Sequence, residues 1–189
     1  MSETTKRPKK PEHMTSLFGN HLIPKTHHRI AFRGSVDALE AEIIEAQILA
    51  VQSDDPDLCE KLGTVLVYLR SIIVAEVRGT PLAPPDLFGM NAEDLHRQSH
   101  NAGRDSFVLP SYTLGILPAR VNLLRTKVRQ TELLGVKAFG PFDDEHSGVK
   151  DPEADVHRED ILLALNRLSS ALWWLFCDCA KKYSKQDAT

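Results

Sequence analysis

ILLALNRLSSALWWLF, running from Ile161 to Phe176, is the stretch whose reading decides the fold. Ile161, Leu165, Leu168, Leu172 and Leu175 recur at alternating steps of four and three, the period of one helix face, and neither glycine nor proline interrupts them. The pattern predicts a helix over 157–183. Moving outward, the same period recurs upstream. Leu117, Val121, Leu124 and Val128 point inward from a helix predicted over Thr113 to Ala138, with Pro118 tolerable only near its start. Leu58, Leu62, Val65, Leu69 and Ile72 mark a helix over 56–78, which Asp55 can cap and Pro56 can open. Gly79, Pro81, Pro84 and Pro85 end it. A shorter helix is expected from Ala92 to Asn101, capped by Asn91 and stopped by Gly103. The first helix is expected after Gly34, with Ser35 as cap, Asp37 near the positive end of its dipole, and Val36, Leu39, Ile43 and Ala50 inward. Arg29 to Arg33 reads as an extended lead-in. No useful segment alternates with period two, and no internal repeat is present. An all-α, five-helix bundle follows over 29–185, with 1–28 as an N-terminal arm that orders only against a partner surface or ligand.

Composition narrows the function classes. The 189 residues are 42% apolar with a formal charge of -3 and pI near 6.2, so no global positive field draws the protein to nucleic acid or an anionic membrane. The longest apolar runs, Thr64 to Leu69 and Leu172 to Phe176, fall far short of the roughly 18 residues of a membrane span. Lys6, Arg7, Lys9 and Lys10 have no apolar segment behind them, so a cytoplasmic protein is expected rather than a secreted one. Cys59, Cys177 and Cys179 are odd in number and read as free buried thiols.

Chemistry concentrates on the last two helices. Arg125, Arg129 and Glu132 share one helix face. Two guanidiniums one turn apart can clasp a polyphosphate, and the alternative is a solvated face with an internal Arg–Glu pair. Asn166, Ser169, Ser170 and Trp173 form a polar stripe with Arg167 alongside, suited either to a ligand or to interhelical hydrogen bonds. His96 and His100 are one turn apart with Glu93 on the same side, an incomplete metal site. His27 and His28 are weaker candidates, and no resident metal is expected. Phosphate-cradling glycine loops and nucleophile elbows are absent.

Four blocks together resemble the corrinoid adenosyltransferases. HRIAFRGSVDAL, His28 to Leu39, resembles the D-P-R-(V/L)-x-x-(Y/F)-G-x-(V/L)-D-x-L segment of the propanediol-utilization type. EDLHRQSH (Glu93 to His100), LLRTKVRQTE (Leu123 to Glu132) and DILLALNRLSS (Asp160 to Ser170) resemble the ethanolamine-utilization branch more closely. The blocks keep the family's order over roughly residues 14–175.

The resemblance implies a trimer of five-helix bundles, with ATP between neighbouring subunits and cobalamin as second substrate. It implies that the cob(I)alamin cobalt attacks C5′ of ATP and that triphosphate leaves, with Mg²⁺ on the phosphates. Residue by residue, TSLFG (Thr15 to Gly19) resembles the end of the ATP loop, with Thr15 and Ser16 as binding residues and Lys9 or Lys10 standing in for its lysine. Arg125 and Arg129 resemble the basic pair on the triphosphate, with Glu132 on the same face, and Asn166 and Arg167 the nucleotide-binding N-R-L-S segment. Asp37 resembles the acid that bridges subunits through an arginine, with Arg125 or Arg120 as its partner, and Phe107 the aromatic residue against the lower corrin face. A corrinoid reductase or an adenosylcobalamin-dependent lyase is the expected functional neighbour, with a microcompartment as one setting. The chain departs from the family in lacking the glycine-aspartate part of the ATP loop before Thr15, in Lys127 where the propanediol type tends to have Glu, and in Ser170 replacing an Asp. It also has no cysteine before Cys59, where better-known ethanolamine-branch members carry a Cys-rich metal motif. The eroded loop leaves a non-catalytic cobalamin-binding or delivery protein as the alternative.

Overall fold

The computed structural model describes residues 10–105, 108–140 and 158–184. Its main elements are helices α1 (His28–Gln52), α2 (Pro56–Arg78), α3 (Ala92–Asp105), α4 (Ile116–Phe139) and α5 (Glu159–Ser184). Two short antiparallel strands, β1 (Met14–Ser16) and β2 (Leu22–Pro24), precede them. The all-α expectation holds. α1 packs against α2 and α4, α4 lies along α5, and α3 covers α5, while α2 meets α5 more sparsely. The inward residues expected on α1, α2, α4 and α5 are all buried, in one core that also contains Phe32 and Phe176. Where α4 meets α5 at Gly135, an added Cβ would stand 3.2 Å from Leu165 Cδ1 and 3.3 Å from Leu162 Cδ2.

Helix ends follow local chemistry where the capping residue was legible. Asp55 Oδ1 accepts from the Leu58 amide at 3.2 Å to start α2, which ends where Gly79 turns left-handed at φ 65°. Asn91 Oδ1 accepts from the amides of Glu93 and Asp94 at 3.0 and 2.9 Å. α3 nevertheless runs through Gly103 to Asp105, because one glycine weakens a helix by only about 1 kcal/mol and need not end it. α4 begins at Ile116 rather than Thr113, since Tyr112–Leu114 form a 3-10 turn and Gly115 adopts φ 83°. Pro118 thus lies in the first turn, where its missing N–H costs nothing.

The start of α1 is the largest correction. The helix begins at His28, capped by His27 Nδ1, which accepts from the Arg29 amide at 3.1 Å. Arg29 to Arg33 is therefore helical, and Ser35 is an interior residue whose hydroxyl meets Thr131 Oγ1 at 2.7 Å. Arg29 and Phe32 continue the three-four step of Val36, Leu39 and Ile43 backwards, and both are buried. That burial outweighs the helix penalty of Gly34. The arm is corrected too. Among the described residues it forms a hairpin on this same chain, with Leu17 and Ile23 buried.

Candidate functional site

α4 and α5 bring the two polar stripes side by side. Asn166 Nδ2 on α5 donates to Glu132 Oε1 on α4 at 3.1 Å, and the Arg125 guanidinium lies 5.0 Å from the centre of the Trp173 ring. Trp173 is in turn stacked on Phe176, 5.3 Å between ring centres. Arg167 Nη1 donates to Asn166 Oδ1 at 2.6 Å, while Arg167 Nε is buried without a partner. The internal Arg–Glu pair allowed by spacing does not form; Glu132 accepts from Asn166 instead. Six residues singled out in the sequence, Arg125, Arg129, Glu132, Asn166, Arg167 and Trp173, thus lie on facing stretches of two helices.

The electrostatics of this face are unbalanced. Arg125 is half-buried, and burial together with the neighbouring Arg129 holds its guanidinium below the ordinary arginine value. Its nearest polar contact is neutral, Nε donating to Asn122 Oδ1 at 3.3 Å. Arg129 is exposed and has no acidic partner among the described residues. Like charges one turn apart on a helix are mutually destabilising, and an anion between them would remove that cost. The cysteines play a different part: burial pushes the Cys177 thiol up, and pushes Cys179 up to about 12, so both stay protonated. All three cysteines are free, Cys177 and Cys179 buried as expected but Cys59 only half-buried.

The remaining expected residues lie apart. Thr15 pairs with Ile23 in the hairpin, and Ser16 Oγ donates to the Gly19 carbonyl. Neither makes a hydrogen bond to α4 or α5 of the same chain. Lys10 is exposed. Asp37 is exposed mid-α1 with no ion pair among the described residues, and the arginine named as an alternative partner, Arg120, pairs with Glu45 of its own chain. Phe107 and Lys9 lie outside the described residues. His96 and His100 face each other edge-on at 4.5 Å between ring centres, and no group of three or more His, Cys, Asp or Glu among the described residues could hold a metal.

One polar cluster was not anticipated. Glu76 near the end of α2 is wholly buried and lies 2.8 Å from Arg29 Nε and 2.7 Å from Arg33 Nε. The sequence did hold the signal: Leu62, Val65, Leu69, Ile72 and Glu76 share one three-four step, as do Arg29, Phe32 and Val36. A charge on a core register implies a charge partner in the core.

A family model described as cobalamin adenosyltransferase matches residues 5–179. A protein of Salmonella typhimurium named corrinoid adenosyltransferase EutT is 34% identical over 171 residues, which is 87% of this chain and 58% of that protein. The Escherichia coli K12 protein of the same name is 34% identical over 168 residues, with the same two shares. The chain therefore spans 58% of the length of these relatives.

Proposed function

Because this chain belongs to the cobalamin adenosyltransferase family, we propose that it transfers the 5′-deoxyadenosyl group of ATP to the cobalt of reduced cobalamin. The observation that carries this reading is the pair Arg125 and Arg129, one half-buried and one exposed, adjacent and without carboxylate partners among the described residues. In the reaction, the electron pair of Co(I) forms the bond to C5′ while the C5′–O bond breaks, and triphosphate departs with that bonding pair. Charge grows on the leaving oxygen, so cations fixed in advance near it lower the barrier. Arg125, steadied by Trp173, and Arg129 suit that task. No proton is removed in the attack, so the reaction asks for no general base.

Mg²⁺ fits this donor set as an ion carried on the phosphates, since such ions need only one or two protein carboxylates; Glu132 is the carboxylate on this face. Thr15, Ser16 and Lys10 would complete the nucleotide site, with Phe107 covering the lower cobalt face. That Thr15 and Ser16 make no hydrogen bond to α4 or α5 of the same chain accords with a site shared between subunits of a trimer, with Asp37 reaching an arginine of the neighbour. Exposed Ile44 and Ile48 on α1 and Val67 and Val74 on α2 offer apolar surface for such an assembly. No helix among the described residues is long and apolar enough to cross a membrane, in keeping with a cytoplasmic or microcompartment setting beside a corrinoid reductase or an adenosylcobalamin-dependent lyase.

The missing glycine-aspartate part of the ATP loop favours a second reading, a cobalamin carrier on the same fold. One experiment separates the two. Chemically reduced cobalamin mixed with ATP and the protein should yield adenosylcobalamin, followed by its absorption spectrum, together with one triphosphate per turnover. Tight cobalamin binding with no ATP binding and no product would replace the enzyme with the carrier.

A further inference from the structure

Resting on the reading of the hairpin as part of the ATP site, we propose that Arg33 is a positioning residue for ATP. Oriented by Glu76, it tethers the β1–β2 hairpin and so sets Thr15 and Ser16 where the nucleotide is received. The Glu76 carboxylate is fully shared: Oε1 accepts from Arg29 Nε at 2.8 Å and from Arg33 Nη2 at 3.1 Å, and Oε2 accepts from Arg33 Nε at 2.7 Å. Two nitrogens of the Arg33 fork are thereby fixed on one buried carboxylate, a bidentate geometry that a lysine cannot copy. Its remaining nitrogen, Nη1, donates to the Leu17 carbonyl at 3.0 Å. The second arginine on the same carboxylate reaches the next residue along, with the Arg29 guanidinium 4.7 Å from the centre of the Phe18 ring.

One buried carboxylate therefore orients two arginines that hold two successive hairpin residues, and these follow Thr15 and Ser16 directly in the chain. The Leu17 and Ile23 side chains, 3% and 2% exposed, anchor the hairpin independently of charge. Loss of the Arg33 tether should thus loosen the hairpin's pose without releasing it. A loop that must be ordered at each binding event weakens ligand affinity and leaves the bound complex unchanged. The expected signature is a change in KM for ATP alone.

Arg33→Lys keeps the charge and drops the fork, and Glu76→Gln keeps an acceptor and the side-chain volume. Both full-length variants would be compared with the unmodified protein by thermal melting, backbone hydrogen exchange across Met14–Pro24, and steady-state kinetics with each substrate. For Arg33→Lys we expect faster exchange in the hairpin and a KM for ATP raised by about tenfold, with kcat and the KM for cobalamin within about twofold. Glu76→Gln, which leaves both guanidiniums without their charge partner, should lower the melting temperature as well, with the same split between a raised KM for ATP and a kept kcat. Unchanged hairpin exchange overturns the tether, and faster exchange with an unchanged KM for ATP overturns its link to the nucleotide. Parallel loss of melting temperature, kcat and both KM values would make the cluster purely structural, which also overturns the proposal. If the unmodified protein fails to bind ATP in a direct titration, the activity itself is wrong, and the exchange experiment still decides the tether.

Discussion

Two pairs of arginines lie four residues apart in this chain, Arg29 with Arg33 on α1 and Arg125 with Arg129 on α4, and they have opposite fates. The first pair converges on Glu76, which is 0% exposed, so its charge is spent on holding the hairpin and α2 to α1. The second pair has a neutral indole and an asparagine for company and repels itself. Equal spacing gives equal geometry on a helix, and only the facing element decides whether the charges are satisfied. Satisfied charges build structure. The unsatisfied pair is the one to which the proposed function assigns an anion.

The largest effect should come from breaking the satisfied pair. Glu76→Ala leaves two guanidiniums in a buried or half-buried site without their carboxylate, and breaking such a pair costs about 3–5 kcal/mol. Urea unfolding checks this, and a loss below about 1 kcal/mol would reduce the cluster to the weight of a surface ion pair.

Breaking the other pair should leave stability alone. Arg129→Ala removes a like charge and, on the proposed function, a phosphate contact, so the melting temperature should hold or rise slightly while ATP affinity falls roughly ten- to a hundred-fold. Calorimetric titration with ATP measures the loss. Unchanged affinity would return this face to ordinary solvated surface.

Acid sharpens the contrast least, because it tests satisfied charges elsewhere in the bundle. Burial pushes the Asp55 carboxyl up, but Lys182, the Leu58 amide and the Tyr183 hydroxyl outweigh it and hold it below the ordinary value of 3.8. Asp160 is likewise raised by burial and held below that value by Arg158 and the Leu82 amide. A depressed carboxyl contributes stability above its unfolded pKa and loses it as pH falls through the folded one. The urea midpoint should therefore decline as pH drops below 3.8, and Asp55→Asn combined with Asp160→Asn should flatten that decline. An equally steep decline in the double variant would move the acid sensitivity to other carboxylates.

The helices were legible because each carries its own period and, for α2 and α3, its own cap. Leu117, Val121, Leu124 and Val128, and the five apolar residues of α5, bury as their spacing requires. The polar stripes of α4 and α5 were legible for the same reason, since spacing alone places Arg125, Arg129 and Glu132 on one face. Pairing between elements was not legible. Whether Glu132 would take an arginine or Asn166, and whether Arg125 would lie on Trp173, depends on the rotation of α4 against α5.

By itself, then, the sequence determined which segments are helical and which residues share each face, because 3.6-residue periodicity and caps act over a few neighbours. Tertiary packing, together with the local cap at His27, decided where α1 begins. Gly34 and the Arg29 to Arg33 stretch before it read locally as a boundary and an extended lead-in, yet a glutamate 47 residues beyond Arg29 supplies the buried charge that the arginines of the first turns need. The hairpin followed from the same decision. Its strands are too short to declare themselves by alternation, and they are ordered by Arg33, Arg29 and a core assembled from other parts of the chain.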